Sequence, residues 1–153
     1  MARLEPGATA PDFTLPSDTG EEISLTSLRG APVVIYFYPK AMTSGCTTQA
    51  CDYRDRLKDF SKLGAHVLAV SPDPVSRLVK FRDKEGLTFP LLSDESHEVL
   101  EKYGVWVEKS MYGKKYMGVE RSTFVIDAKG TVLHADYKVK STGDAERVLA
   151  LLS

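Results

Sequence analysis

The sequence contains an unbroken run of β-branched and aromatic residues, Val33 to Tyr38, which Pro39 ends. Such a run is typical of a strand that is covered on both faces. After Pro39 the apolar residues change to the spacing of an amphipathic helix. A buried strand followed at once by a helix predicts an α/β fold, because the helix must pack against a sheet. The apolar stripe of this helix consists of Cys46, Ala50, Tyr53, Leu57 and Phe60.

The rest of the chain predicts further strands and helices in alternation. Before the central run, polar and apolar residues alternate as in two short half-buried strands or a hairpin. Residues 105–119 show no period that assigns them to an element. The predicted helices are 45–63, 74–86, 96–103 and 143–152, and the predicted strands are 12–15, 22–25, 33–38, 66–70, 89–92, 123–126 and 131–133, the last two joined by a turn at 127–130.

This order of elements combines parallel crossovers with an antiparallel hairpin near the end of the chain. Helices must then cover both faces of a mixed sheet. We therefore predict a thioredoxin-like three-layer α/β sandwich with a mixed central sheet and an N-terminal β-hairpin. With 153 residues the chain has the length of one ordinary domain, so a single domain is predicted for residues 1–153.

Charge and apolar runs argue against several classes of protein. The chain has 20 Lys and Arg against 21 Asp and Glu, whereas a protein that binds nucleic-acid phosphates needs a basic excess. The longest apolar run, Ala31 to Phe37, is much shorter than the roughly 20 residues of a membrane span. Residues 1–6 contain no apolar stretch that resembles a signal peptide. We expect a soluble, cytoplasmic protein that binds neither nucleic acid nor membranes.

The two cysteines, Cys46 and Cys51, are too few for a disulfide-stapled scaffold. They are also too few for a structural zinc site, because the three histidines are scattered without ligand spacing. Cys46 falls in the first turn of the helix after the central strand, where free N–H groups and the helix dipole favour an anion. The thiolate is the nucleophilic form of cysteine. The residues alone leave two interpretations, a pair of inert thiols or a redox pair.

The spacing of the two cysteines restricts when they can bond. Residues five apart on a regular helix are separated by about 140° of rotation and roughly 8.7 Å between Cα atoms. A disulfide tolerates at most about 7 Å. Cys46 and Cys51 therefore cannot bond while the helix is intact, and at least its first turn must unwind if they do. Cys51 also lies off the apolar stripe, so core packing does not explain its presence.

The segment from Phe37 to Cys51, FYPKAMTSGCTTQAC, strongly resembles the active-site segment of peroxiredoxins. Its Cys-x-x-x-x-Cys pair is similar to that of the bacterioferritin-comigratory, or Q-type, branch. The similarity continues in the expected order through Ala10–Phe13, Ser71–Asp73, Gly86–Asp94 and Arg121–Asp127. It covers nearly the whole chain, and it implies the thioredoxin fold that the periodicity also predicts.

The resemblance implies a thiol peroxidase that reduces hydrogen peroxide and small organic hydroperoxides without a metal or organic cofactor. Cys46 matches the peroxidatic cysteine, which attacks the O–O bond and becomes a sulfenic acid. Cys51 matches the resolving cysteine, which forms an intramolecular disulfide with it, and a thioredoxin-type dithiol then restores both thiols. Thr43 and Arg121 match the motif residues that contact the sulfur and the peroxide oxygens. Relatives in this branch are often monomers, and a monomer is expected here.

Several alternatives stay open at this point. A redox sensor or chaperone-like protein would use the same disulfide switch, Thr43 would serve only as a helix N-cap, and Arg121 would be an exposed arginine at a strand end. Ser44 replaces the usual motif proline, and Gln49 stands where the branch often carries glutamate. Residues 105–119 form a wall of the peroxide pocket, a docking surface for the reductant, or a surface loop whose aromatics tuck onto the core.

Overall fold

The computed structural model describes residues 3–153. Met1 and Ala2 lie outside the described residues. They belong to residues 1–6, in which no signal peptide is expected. The strands are β1 (Thr14–Pro16), β2 (Glu22–Ser24), β3 (Val33–Phe37), β4 (His66–Ser71), β5 (Leu91–Ser93), β6 (Trp106–Met111), β7 (Lys114–Val119), β8 (Ser122–Ile126) and β9 (Val132–Asp136). The helices are α1 (Ser44–Asp55), α2 (Leu57–Lys62), α3 (Val75–Glu85), α4 (Glu98–Lys102) and α5 (Asp144–Leu152).

A five-stranded mixed sheet with the order β5-β4-β3-β8-β9 forms the centre of the protein. The run of β-branched and aromatic residues is its middle strand, β3, in which every residue is buried. β3 pairs in parallel with β4 and antiparallel with β8, whose Ser122 lies opposite Phe37. This register brings the start of β8 to the end of β3, from which the chain leaves toward α1.

Two apolar clusters, one on each face of the sheet, give the predicted three layers. Alternate residues of β3 point to opposite faces. Val34 and Tyr36 pack with the apolar sides of α1, α2, α3 and α5, whereas Ile35 and Phe37 pack with α4 and the N-terminal segment. β1 and β2 form the predicted N-terminal hairpin. The predicted architecture, a mixed sheet with helices on both faces, is confirmed.

The predicted helix 45–63 is divided in the structure. Arg56 leaves helical geometry with φ −108° and ψ 7°, and its N–H bonds to the Tyr53 carbonyl three residues back, which tightens the last turn of α1. The apolar stripe nevertheless stays on one side, because Leu57 and Phe60 of α2 still pack in the same cluster as Tyr53.

The start of α3 also differs from the prediction. The helix begins at Val75, and Asp73 does not cap it. The Asp73 carboxylate instead accepts hydrogen bonds from the Ala41 amide at 2.8 Å and the Ser71 hydroxyl at 2.8 Å, and it pairs with Arg77. The Asp73 side chain therefore stabilises the loop that leads into α1. The sequence indicated a helix cap at this position instead.

Residues 105–119, which had no predicted element, form the β6–β7 hairpin outside the central sheet. Tyr112 and Gly113 join its strands with φ angles of 52° and 78°, as in a two-residue turn with positive φ at both positions. Trp106 stacks on His97 with ring centroids 3.9 Å apart. The other large residues, Met111, Tyr112, Tyr116 and Met117, are exposed. The interpretation of this segment as a loop whose aromatics tuck onto the core is therefore wrong for Tyr112 and Tyr116, whereas Trp106 packs against the core.

Candidate active site

The crossover from β3 through α1 to β4 positions Cys46. Because β3 and β4 are parallel, the helix between them begins beyond the carboxyl end of β3, where functional sites of α/β sheets lie. Cys46 is the third residue of α1, and only 2% of its surface is exposed. Its side chain packs in the cluster that contains Tyr36 and Ala50. The thiol thus lies at the helix N-terminus, as the sequence predicted, with its helix held against the sheet.

Arg121, directly before β8, reaches the sulfur of Cys46. Its Nη2 donates to Sγ at 3.3 Å, and its Nη1 donates to Oε1 of Gln49 at 2.6 Å. The pairing of β8 with β3 brings these residues together although they are far apart in sequence. The guanidinium therefore places a positive charge next to the sulfur, where a thiolate would carry negative charge. Arg121 is half-buried in this contact, unlike the exposed strand-end arginine of the alternative interpretation.

Gly45 leaves room for this guanidinium. A Cβ atom on Gly45 would lie 3.3 Å from Nη2 of Arg121 and 3.5 Å from Oγ of Ser141. Such a contact is tight enough that the neighbouring group must shift by a few tenths of an ångström. The glycine before the motif cysteine thus has a steric role, which is to let the arginine approach.

A Gly45→Ala variant is expected to react with peroxide several-fold more slowly while its helix is at least as stable. Alanine is the better helix former by up to about 1 kcal/mol, but its methyl group would displace Arg121 from Cys46. Stopped-flow measurement of the peroxide reaction, together with thermal unfolding of the same sample, separates the two effects. Thr48→Ala, at an exposed position of the same helix, is the control. An unchanged peroxide rate in folded Gly45→Ala would contradict the steric role.

Thr43 occupies the N-cap position of α1 without using its side chain as a cap. Its backbone is extended, with φ −85° and ψ 158°, and its carbonyl accepts from the Thr47 amide at 2.9 Å. Its hydroxyl donates to the Lys40 carbonyl at 2.8 Å. Within residues 3–153 this hydroxyl makes no hydrogen bond to Cys46, and its oxygen keeps lone pairs that can accept one. Thr43 is therefore the N-cap residue of α1, as the alternative interpretation had it, but its hydroxyl makes no capping hydrogen bond.

Cys51 lies on the same helix as Cys46, and both are free thiols. Its half-buried Sγ donates to Oε1 of Glu85 at 3.6 Å. Burial raises the pKa of the Cys51 thiol above its ordinary value, Arg54 acts in the opposite direction, and Glu85 raises it further. The continuous helix between two unbonded cysteines agrees with the spacing argument. Unwinding of α1 on oxidation stays a prediction.

A buried carboxylate extends the contacts of Arg121. Gln49, which is fully buried, donates from Nε2 to Oδ2 of Asp144 at 3.1 Å. Asp144 is the first residue of α5, and sequence reasoning did not connect it with the site. The only sequence signal was an acidic residue in the first turn of a predicted helix, which ordinarily indicates a favourable interaction with the helix dipole.

The β6–β7 hairpin leads through Glu120 into Arg121, and the charges of the site act on its Lys109. Burial lowers the pKa of the Lys109 ammonium, Arg121 lowers it further, and Glu120 and Cys46 act in the opposite direction. The stem of Lys109 crosses Gly118, where a Cβ atom would lie 3.2 Å from Lys109 Cδ. The interpretation of the segment as a wall of the site stays a prediction.

Metal-binding clusters and membrane-spanning helices are both absent from residues 3–153. No group of three or more His, Cys, Asp and Glu side chains there is arranged to hold a metal ion. No helix in this range has the length and apolar character needed to cross a bilayer.

Known protein sequences are similar to this one along almost its whole length. Residues 6–135 match the AhpC/TSA family. A putative peroxiredoxin of Mycobacterium tuberculosis strain H37Rv is 52% identical over 151 residues, which cover 99% of this chain and 96% of the relative. Peroxiredoxin Bcp of Escherichia coli K12 is 48% identical over 146 residues, which cover 94% of each chain.

Solved protein structures also superpose closely on this fold. The bacterioferritin comigratory protein of Xanthomonas campestris, whose structures were solved to study its alkyl peroxide reduction activity, superposes with a TM-score of 0.90 at 42% identity, with 99% of this chain and 97% of that one covered. A mutant of Xylella fastidiosa PrxQ superposes with a TM-score of 0.94 at 33% identity, with the same coverage. The predicted thioredoxin-like fold and the resemblance in sequence are confirmed. The chain belongs to the AhpC/TSA family and, within it, to the Bcp/PrxQ peroxiredoxins.

Proposed function

We propose that this chain is a two-cysteine thiol peroxidase that reduces hydrogen peroxide and small organic hydroperoxides at Cys46. The observation that carries the proposal is the Arg121 guanidinium 3.3 Å from the sulfur of a cysteine in the first turn of α1. Peroxiredoxins of the Bcp/PrxQ branch are thiol peroxidases with two cysteines, and the resemblance of the segment Phe37–Cys51 to their active-site motif supports Cys46 and Cys51 as this pair. The alternative, a sensor or chaperone-like protein, has no observation in its favour.

In the first step the Cys46 thiolate attacks one peroxide oxygen and the O–O bond breaks. The electron pair of the O–O bond stays on the other oxygen, which takes up a proton and departs as water or an alcohol. The sulfur is oxidised to a sulfenic acid. Arg121 stabilises the charge that develops on the leaving oxygen, because its donors are already fixed at the site. The hydroxyl of Thr43, at the mouth of α1, orients the peroxide.

In the second step the Cys51 sulfur attacks the sulfenic acid, water leaves, and a disulfide forms. Cys51 is held by Glu85 on an intact helix, so the turn between the cysteines must open first. Gln49 lies in that turn, and its hydrogen bonds to Arg121 and Asp144 must break when the turn opens. The network therefore stabilises the conformation that reacts with peroxide.

A dithiol protein of the thioredoxin type then reduces the disulfide by thiol exchange. The proposal includes a single domain that spans residues 1–153, a monomeric state and a cytoplasmic location. The lack of long apolar runs in the sequence supports the location. The length of the chain supports the single domain.

Addition of one equivalent of hydrogen peroxide to the reduced protein tests the proposal. Rapid mixing followed by intact-mass measurement is expected to show the loss of two hydrogen atoms, as an intramolecular disulfide forms. Peptide mapping is expected to assign it to Cys46 and Cys51. A protein that keeps both thiols free to alkylation after this treatment would contradict the proposal, and untreated protein is the control.

Ser44→Pro is expected to slow disulfide formation without changing the first reaction with peroxide. Ser44 is the first residue of α1, where proline is well tolerated, and the extended backbone of Thr43 suits a following proline. Proline there favours the folded turn by about 0.4–1 kcal/mol, which corresponds to a roughly two- to five-fold slower opening. Stopped-flow traces resolve the two phases. Ser44→Ala is the control, and a variant that forms the disulfide faster than the parent would contradict the prediction.

A further inference from the structure

Asp144 is a charged side chain that is completely buried and has a full set of partners. Its side chain has no exposed surface. Oδ2 accepts from Gln49 Nε2 at 3.1 Å, Tyr53 Oη at 2.8 Å and Thr123 Oγ1 at 2.7 Å, and Oδ1 accepts from Arg147 Nη2 at 2.7 Å. A buried carboxylate is tolerated only when such donors and a counter-charge satisfy it.

The carboxylate determines which way the Gln49 amide faces. A glutamine side chain has a donor end and an acceptor end, whereas an ionised carboxylate only accepts and a guanidinium only donates. With Asp144 on one side, Gln49 must turn its NH2 group toward it. The carbonyl Oε1 then faces Arg121, which donates to it at 2.6 Å and to Cys46 Sγ at 3.3 Å.

The reverse orientation of Gln49 would place its carbonyl oxygen toward Asp144. The hydroxyl groups of Tyr53 and Thr123 exclude it, because both also donate to Oδ2. Burial raises the pKa of Tyr53 well above its ordinary value, and Asp144 raises it further, so its hydroxyl keeps its proton and donates. Thr123 lies on β8, two residues after Arg121, and donates to the same oxygen. The Asp144 carboxylate therefore connects α5, the sheet and α1. It lies on the side of Gln49 opposite to Arg121.

We propose that Asp144 is a positioning residue for the reaction at Cys46: it orients the Gln49 amide, which in turn holds the Arg121 guanidinium against the sulfur. Asp144 touches neither the sulfur nor the peroxide. The use of a peroxide rate as a readout rests on the proposed function, but the reactivity of Cys46 toward an alkylating agent does not.

Removal of the acceptor beside Gln49 tests this role. In Asp144→Leu no oxygen accepts from the Gln49 NH2 group, so the amide is no longer held with its carbonyl toward Arg121. The guanidinium then loses its fixed acceptor beside the sulfur. In the double variant Gln49→Glu with Asp144→Leu, both oxygens of the carboxylate introduced at position 49 are acceptors, so the guanidinium again donates to an oxygen beside the sulfur.

The measurements use a Cys51→Ser background so that Cys46 is the only thiol. The rate of alkylation by iodoacetamide and the rate with hydrogen peroxide are recorded with the thermal unfolding temperature. Asp144→Leu is expected to lower both rates about ten-fold, less than the roughly 100-fold that loss of a direct donor costs. The double variant is expected to recover the parent rates although it is less stable, because Tyr53 and Thr123 no longer donate to a carboxylate. Asp136→Leu, which removes the other carboxylate bound to Arg147, is the matched control and keeps parent rates.

A purely structural role predicts a different result. Folded Asp144→Leu with parent rates, or a double variant whose rates stay low, would overturn the proposal. If Asp144→Leu does not fold, the double variant is compared with Gln49→Met, which leaves Asp144 intact. Parent rates in the double variant and slow rates in Gln49→Met support the relay, and equal rates in the two overturn it. A failure of the proposed function would abolish the peroxide reaction in the parent and leave the alkylation comparison valid.

Discussion

Cys46→Ser is expected to show no peroxide consumption, whereas Cys51→Ser consumes one equivalent rapidly and then consumes more only by overoxidation of Cys46. A serine hydroxyl at position 46 is not ionised at neutral pH and cannot replace the thiolate as a nucleophile. In Cys51→Ser the thiolate and Arg121 are intact, so the first step is unaffected. The sulfenic acid then has no second thiol in the chain with which to condense.

The contrast between these two variants is measured with a coupled assay and by mass. With a protein dithiol as reductant, the parent is expected to turn over continuously, and both variants are expected to lose steady turnover. One equivalent of peroxide should add one oxygen atom to Cys51→Ser, and an excess should drive Cys46 to the sulfinic acid. Each variant is the other's control. Steady turnover of Cys51→Ser with a protein dithiol would exclude Cys51 as the resolving cysteine.

Arg121→Gln is expected to reduce the rate of the reaction between Cys46 and peroxide by roughly 100-fold, the usual effect of removing one fixed donor from a developing negative charge. The change removes both the contact to the sulfur and the bond to Gln49. Arg121→Lys is expected to lie between parent and Arg121→Gln, because an ammonium keeps the charge but lacks the planar pair of donors. The second-order rate from stopped-flow at several peroxide concentrations measures this effect.

Arg82→Gln provides the control for loss of an arginine elsewhere. Arg82 is also half-buried and bonded to carboxylates, but its partners are Asp18 and Asp83, which do not belong to the site. Its peroxide rate is expected to match that of the parent even if its thermal stability is lower. A parent-like rate in folded Arg121→Gln would show that the contact in the structure has no role in the reaction.

Local periodicity was enough to predict most of the core. The residues of β3 are buried, and the stripe on α1 and α2 is buried except for the half-buried Leu57, because each segment presents a continuous apolar side that is visible in the chain itself. The β6–β7 hairpin was missed because its strands carry lysines and exposed methionines in place of an apolar face, and it pairs with no strand of the central sheet. The Tyr112–Gly113 turn was its only signal, and it is a weak one.

The residues of the candidate site likewise fall into those that the sequence predicted and those that it did not. Cys46 and Cys51 lie on one helix, so their distance and the position of Cys46 at the helix start follow from helix geometry. Arg121 was identified only through the resemblance to peroxiredoxins. Asp144 was not identified at all, since the same pattern is found at the start of many helices.

By itself, the amino-acid order determined the central strand, the helix that follows it, and the impossibility of a Cys46–Cys51 bond on that helix. These properties depend on neighbours within a few turns of the chain. The tertiary structure alone decided that Arg121 touches the sulfur and that Asp144 lies behind Gln49. Those contacts arise where β8 pairs with β3 and where α5 packs on α1, and such long-range pairings leave no period in the sequence from which they could be deduced.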